Sequence, residues 1–226
     1  MSSKLCIIPA RGGSKRIPRK NVKNFLGHPM ISYSIRAAEA SGVFDEIMVS
    51  TDDETIAETA REYGAQVPFL RSSENSNDHA IINDVLVEVL DTYKSQGKVF
   101  DYVCILFATA PLASPANIRK SFDLMIEKGY DSIRPIVQFS YPIQRAFIIE
   151  DDQLKMKHPE NYKKRSQDLE PCYHDSGQFY WINKGKSLLD TSKGGLIISE
   201  MEAQDIDTSD DWKLAELKFK ILNNIS

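Results

Sequence analysis

Short apolar runs alternate along the first part of the chain with stretches whose apolar residues recur every three or four positions. KLCIIP (Lys4 to Pro9), EIMVS (Glu46 to Ser50), VPFL (Val67 to Leu70) and DYVCILF (Asp101 to Phe107) read as short strands, the first and last nearly continuous in apolar residues, as coverage on both faces requires. Between them, PMISYSIRAAEASG, DDETIAETAREYGA, DHAIINDVLVEVLDTYKSQG and SPANIRKSFDLMIEKG have helical spacing. The end signals agree. Pro29 suits a first helical turn, Gly42 and Gly129 suit stops, Asp52 or Asp53 stands near the start of the second helix, and Ser114 can cap the fourth. DSIRPIVQF completes the pattern. Strands alternating with helices predict right-handed βαβ units and a mostly parallel sheet. In such sheets ligands bind beyond the carboxyl ends of the strands.

The alternation fails from about Tyr141 to Asp175. RAFIIEDDQLKMKHPE has the pattern of a hairpin turning at Asp151-Asp152, and polar KKRSQDLEPCYHDSG follows. Residues 1–226 therefore read as a single α/β domain, with 141–175 as an inserted lobe over the site and a contact between two copies in a homodimer. GQFYWIN and GLIISEM then read as strands, and DTSDDWKLAELKFKIL as a closing helix.

With 226 residues, 42% of them hydrophobic, the chain can build one sizeable core. A net charge of -4 and a pI of about 5.6 argue against nucleic-acid binding, because an acidic surface repels a polyphosphate. Within that acidic chain, the thirteen residues from Arg11 to Lys23 hold six cations (Arg11, Lys15, Arg16, Arg19, Lys20 and Lys23) and no acid. The loop follows the first strand, at the ligand edge, so it reads as a pocket for a small anion. No stretch approaches the roughly 20 apolar residues of a membrane span, and the N-terminal apolar run is too short for a signal peptide. Cys6, Cys104 and Cys172 have no metal-binding spacing, and an unpaired set fits a reducing cytoplasm.

Within the loop, Gly12 and Gly13 let the backbone approach a phosphate, and Arg11 and Lys15 can neutralise it. The tract ARGGSK (Ala10 to Lys15) is not a Walker A loop, since GxxxxGK[ST] is absent. Near the C-terminus, strand alternation in QDIDT puts Asp205 and Asp207 on one face with Ile206 opposite. Two carboxylates beside a polyphosphate suit Mg2+, which takes one or two carboxylates, phosphates and waters. Thr208 or Ser209 can cap the last helix, with Asp210 and Asp211 favouring its N-terminus. ATAPLASP places Thr109 and small neighbours at the ligand edge. In the irregular region, Gln144, Arg145, Arg165, Gln167, His174 and Gln178 can read a polyhydroxy ligand, with Arg145 and Arg165 as candidates for gripping a carboxylate. His174 alone is as readily a hydrogen-bonded structural group. Of Phe179, Tyr180 and Trp181, at strand spacing, at least one belongs to the core, and Tyr180 is the candidate for the ligand side.

IIPARGGSKRIPRKN, VSTDDETIAETAREYGA and DIDTSDDW resemble, in that order, the motifs of the CMP-sialic acid synthetase family of cytidylyltransferases. YPIQRA, HPE, RSQDLEPCYHDSGQFYW and QDIDT are most similar to its pseudaminic acid branch. The resemblance implies a Rossmann-like (GT-A-like) nucleotidyltransferase domain with a dimerisation lobe. It also implies the reaction of CTP with a nine-carbon 2-keto sugar acid (a nonulosonic acid) and Mg2+. Arg11, Ser14 and Lys15 match its phosphate-binding positions, Lys20 and Asn21 its nucleotide-holding positions, Arg71 and the tract around Asp78 further nucleotide positions, and Asp205 and Asp207 its metal carboxylates, with Arg11, Lys15 and Asp207 at the chemistry. Ser176-Gly177 stands where sialic acid enzymes carry Asn-Gly near the sugar, and Phe107 where they carry Gln, which points to a less hydroxylated sugar. Ala80 and Ile81 replace two threonines of the pseudaminic branch. Two other readings are a glycosyltransferase consuming a nucleotide sugar, which would release no pyrophosphate, and a non-catalytic nucleotide-binding regulator.

Overall fold

The computed structural model describes residues 2–77, 80–190 and 192–225. β1 (Lys4–Pro9) leads into the basic loop, and a small hairpin of β2 (Asn24–Phe25) and β3 (His28–Pro29) leads out of it. The order is then α1 (Met30–Ser41), β4 (Glu46–Ser50), α2 (Glu54–Glu62), α3 (Ile82–Ser95), β5 (Tyr102–Leu106), α4 (Pro115–Lys128) and β6 (Ser132–Gln138). The segment 141–175 carries the hairpin β7 (Phe147–Glu150) and β8 (Gln153–Met156). After the hairpin come β9 (Tyr173–Asp175), β10 (Phe179–Asn183), β11 (Lys193–Ile197) and α5 (Ser209–Leu222).

The main sheet runs β11-β6-β10-β5-β1-β4, with β9 paired to the far end of β6. β1 is parallel to β4 and β5, and β6 to β11, while β10 runs antiparallel between β5 and β6. The result is an α/β fold with a mixed, mostly parallel sheet. The apolar run of β1 is explained by its two covers: Cys6 and Ile8 pack with α1, α2 and α4, and Leu5 and Ile7 pack with α3. Trp181 anchors the first of these layers. It is fully buried, stacked on Phe44 at 5.0 Å, and donates its indole N–H to the Ile118 carbonyl at 3.0 Å. Phe25, Met30, Ile206, Trp212 and Ala215 form a separate cluster that docks α5 beside the basic loop.

Most of the local end signals act as expected, although Pro29 closes β3 just before α1 instead of standing in its first turn. Gly42 and Gly129 end their helices in the left-handed conformation, and Asp53 and Ser114 accept hydrogen bonds from Ile56 and Asn117 as caps. Thr208 caps α5, and Asp151 and Asp152, both at positive φ, turn the hairpin of β7 and β8.

Three expectations change. VPFL is not a strand; only Gln66 bridges the edge of β4, because Pro68 has no N–H to continue the ladder. The helix expected from Asp78 begins at Ile82, and Asp78 lies outside the described residues. Residues 203–207 are irregular rather than a strand. They nevertheless bury Ile206 and leave Asp205 and Asp207 toward solvent, because a hydrophobic cluster, not a ladder, pins the segment. Among the described residues, no helix is long and apolar enough to cross a membrane.

Candidate active site

The basic loop is held by its own sequence neighbours and by the acids after β4. Ala10 extends the β1 ladder, its N–H donating to Ser50 O at 2.9 Å. Gly12 N–H donates to Asp52 Oδ1 at 3.0 Å, and a Cβ at Gly12 would stand 2.9 Å from Asp53 Oδ2, so any larger residue there would push the Asp53 side chain aside. Gly13, by contrast, faces open space. Buried Asn21 donates to the Arg11 carbonyl at 2.9 Å and so pins the loop from inside. Ser14 N–H closes a tight turn on Gly12 O.

The loop opens onto two adjoining pockets. One, of about 250 Å³, is lined by Arg11, Ser14, Lys15, Lys20, Asn21 and Thr109 among others. The second, of about 180 Å³, is lined by Arg71, Asn75, Asn77, Ala80 and Ile82 among others. Pro9, Arg11 and Phe107 line both and form the wall between them. Arg11 also donates to Asn77 O at 3.1 Å, tying the two sides together. A larger cavity, of about 500 Å³ between α1 and the end of α5, is lined by residues such as Tyr33, Leu112 and Phe219 and includes none of the loop cations.

Opposite the loop stand the C-terminal acids. Asp207 Oδ1 is 2.8 Å from Arg16 and 3.6 Å from Lys20, while Lys20 Nζ also donates to Ile206 O at 2.6 Å. Asp205 lies against Gly177, whose φ of 67° turns the chain between β9 and β10. The two carboxylates offer hard oxygen donors and leave most of a coordination sphere for phosphate and water, which is how Mg2+ is usually held. Among the described residues no three His, Cys, Asp or Glu side chains form a ready-made metal cluster.

Arg71 is buried, donating through Nε to Ser50 Oγ at 3.0 Å and through a second nitrogen to Ser50 O. Burial pushes its pKa down and the nearby Arg11 adds to this, while Asp52 and Glu88 oppose it. Glu88, on α3, clamps the following loop. It accepts from Ser72 N–H at 2.7 Å, Ser72 Oγ at 2.8 Å and the Asn75 amide. Burial raises the Glu88 pKa, but these hydrogen bonds outweigh it and hold the carboxyl below its usual value.

The residues expected around the sugar separate into two groups. Phe107 meets Tyr180 edge-on at 5.4 Å, and Ser176 and Gln178 are buried beside them in the chain, Gln178 donating to Glu202 O. Burial raises the Tyr180 pKa above its ordinary value, and Asp175 adds to this through its charge and a hydrogen bond. Gln144, Arg145 and Arg165 lie in the segment 141–175 and line neither pocket. Gln144 donates to Glu170 O, Arg165 grips Asp168, and Arg145 lines a cavity with Tyr141 and Phe147. His174 is exposed, with Nδ1 2.9 Å from Asp175 O and its ring on Phe139, the structural arrangement left open above. From sequence, Asp52 was named only as a possible helix start, and Glu88 and Arg134 were not singled out. Only Arg134 carried a signal there, as a lone cation inside the apolar strand SIRPIVQ.

Residues 5–212 match the family model described as Cytidylyltransferase. The chain belongs to the cytidylyltransferase family. This cytidylyltransferase is 42% identical over 224 residues, 96% of each chain, to the pseudaminic acid cytidylyltransferase of Campylobacter jejuni serotype O:2. It is 35% identical, over 94% of each chain, to the CMP-N,N'-diacetyllegionaminic acid synthase of Legionella pneumophila. Its fold superposes with a TM-score of 0.71 on a solved structure of CMP:2-keto-3-deoxy-manno-octonic acid synthetase complexed with CTP, at 17% identity over 99% of this chain and 100% of that one. It is thus a nucleotidyltransferase, of a kind that generally uses a divalent metal ion.

Proposed function

We propose that this enzyme joins CTP to pseudaminic acid, giving CMP-pseudaminic acid and pyrophosphate. The observation that carries the reading is full-length similarity to a pseudaminic acid cytidylyltransferase, 42% identical over 96% of both chains. The paired pockets support it, since their common wall of Arg11 and Phe107 separates a side rich in lysine and arginine from a side where Arg71 stands among amides and apolar side chains.

In this reading the oxygen of the sugar's 2-hydroxyl attacks the α-phosphorus of CTP, the bond from that phosphorus to the pyrophosphate oxygen breaks, and the hydroxyl proton is released to solvent. Such transfer needs mainly positioning and charge stabilisation. Arg11 and Lys15 face the triphosphate and stabilise charge growing on the departing pyrophosphate. Asn21 and Lys20 keep the loop and the Asp205–Asp207 segment in register. Asp205 and Asp207 would hold Mg2+. When bound, that ion supplies neutralisation of the phosphate oxygens. Arg71 and the loop clamped by Glu88 form the nucleoside side. Glu88→Gln should then raise the KM for CTP about tenfold at neutral pH with little change in kcat, because one carboxylate organises three donors. Its contribution is complete above the ordinary carboxylate range and fades as pH falls through the lowered pKa of Glu88. A KM for CTP that does not move would remove this loop from nucleotide binding.

We also assign residues 141–175 to a contact between two copies. Phe147, Ile148, Ile149 and Leu154 are exposed on both faces of a two-stranded hairpin, an arrangement that is marginal in water without a cover. The roles expected of Gln144, Arg145 and Arg165 then depend on that contact. A CTP-consuming enzyme with three free cysteines fits the cytoplasm.

The deciding experiment is pyrophosphate release from CTP and Mg2+ with pseudaminic, legionaminic and N-acetylneuraminic acids in parallel. Release with pseudaminic acid alone is expected. Release with legionaminic acid instead would keep the reaction and change the sugar. Release with none would refute the reading.

A further inference from the structure

We propose that Arg134 binds the carboxylate of the sugar acid, with Asp175 holding the guanidinium in place until the substrate arrives. This rests on the sugar-acid reading above and adds a specificity residue to it.

The sheet register places Arg134. Trp181 pairs with Ile133 and Ile182 with Ser132, so the next rung of these antiparallel strands sets Arg134 opposite Tyr180. Opposite residues present their side chains on the same face. The Arg134 guanidinium lies over the Tyr180 ring at 4.5 Å, and Tyr180 in turn meets Phe107. Arg134, Tyr180 and Phe107 therefore form a continuous row from β6 to the wall shared by the two pockets. The cluster beneath α3 extends along this face to Ile182 and Tyr180. Arg134 lies past that edge, with 27% of its side chain exposed.

A cation in an otherwise apolar strand is expensive to desolvate and needs an anion. Asp175 meets that need only in part. Its Oδ1 accepts from Gly177 N–H at 2.8 Å, within the turn itself, and its Oδ2 meets Arg134 Nη1 at 2.9 Å. Contact through one nitrogen leaves unused the two-pronged geometry by which a guanidinium grips a second carboxylate. Asp205 also lies against Gly177. Two acids would repel an incoming sugar carboxylate unless a cation stood between them and it. Arg165, a candidate for this role from sequence, is already engaged: Nε and Nη2 reach Asp168 at 2.9 and 3.2 Å.

The test compares wild type, R134Q and R134K with CTP and two sugars, pseudaminic acid and its C1 carboxamide, which keeps the ring and removes the charge. Wild type should prefer the acid. R134Q should raise the KM for the acid roughly 30-fold, leave the KM for CTP within about twofold, and lose most of the preference for acid over amide. Should R134Q fail to fold, R134K retains the charge without the fork and should still raise the acid KM about tenfold. An unchanged acid KM and preference in the folded variant would overturn the proposal. So would a joint rise in both KM values, which marks a merely structural role. Wild type inactive with every sugar acid would instead refute the substrate reading, and the carboxylate assignment with it.

Discussion

Asp207→Asn should lower kcat on the order of 10²–10³-fold, the usual cost of removing a fixed charge that stabilises a transition state. The same change should leave the KM for CTP unraised. The reason is the geometry: Asp207 Oδ1 sits 2.8 Å from Arg16 and 3.6 Å from Lys20. Removing its charge makes the pocket more cationic, which favours the triphosphate in the ground state while removing a carboxylate that would hold Mg2+. The fold should be unaffected. It is the backbone N–H of Asp207, not its carboxylate, that serves α5, donating to Asp211 Oδ2 at 3.1 Å. Steady-state kinetics across a Mg2+ titration, with thermal unfolding as control, separates these effects. Undiminished turnover would remove Asp207 from the metal site.

Trp181→Ala should destabilise the protein by about 3–5 kcal/mol, the range for deleting a fully buried large aromatic. Three losses combine at this site: the stack on Phe44, the contact with Phe122 at 4.8 Å, and the indole bond to Ile118 O, which leaves a helix carbonyl without that donor. Trp181 lies on β10, the reversed strand between β5 and β6, so the cavity opens at the seam where the two parallel parts of the sheet meet. Urea denaturation followed by far-UV circular dichroism should show the midpoint fall with little change in slope. A midpoint equal to that of wild type would mean that α1 and α4 collapse into the space.

The elements were legible wherever the signal was local. KLCIIP reads as a doubly covered strand because alternate residues on each face are apolar, and α1 and α3 supply the covers. Caps were legible because a side chain and the N–H it serves are three residues apart, as with Asp53 and Ile56. VPFL misled because apolar content does not provide the N–H that Pro68 lacks. QDIDT had the right alternation for another reason: Ile206 is drawn into the Phe25–Trp212 cluster, which orients its two neighbours as a strand would.

The sequence by itself determined that six cations follow the first strand, that two acids straddle an isoleucine before the last helix, and that the strand–helix alternation stops near Tyr141. These are properties of composition and short spacing, carried by backbone geometry within a few residues. Tertiary structure alone decided which charges meet. Arg16 and Lys20 face Asp207 from the other end of the chain, Glu88 reaches back from α3 to Ser72, and Arg134 is set over Tyr180 by a strand that runs against its neighbours. Such meetings depend on strand order, on the reversal of β10 and on the left-handed turn at Gly177. No local period encodes them, because the energy that fixes them is the burial of distant apolar faces against one another.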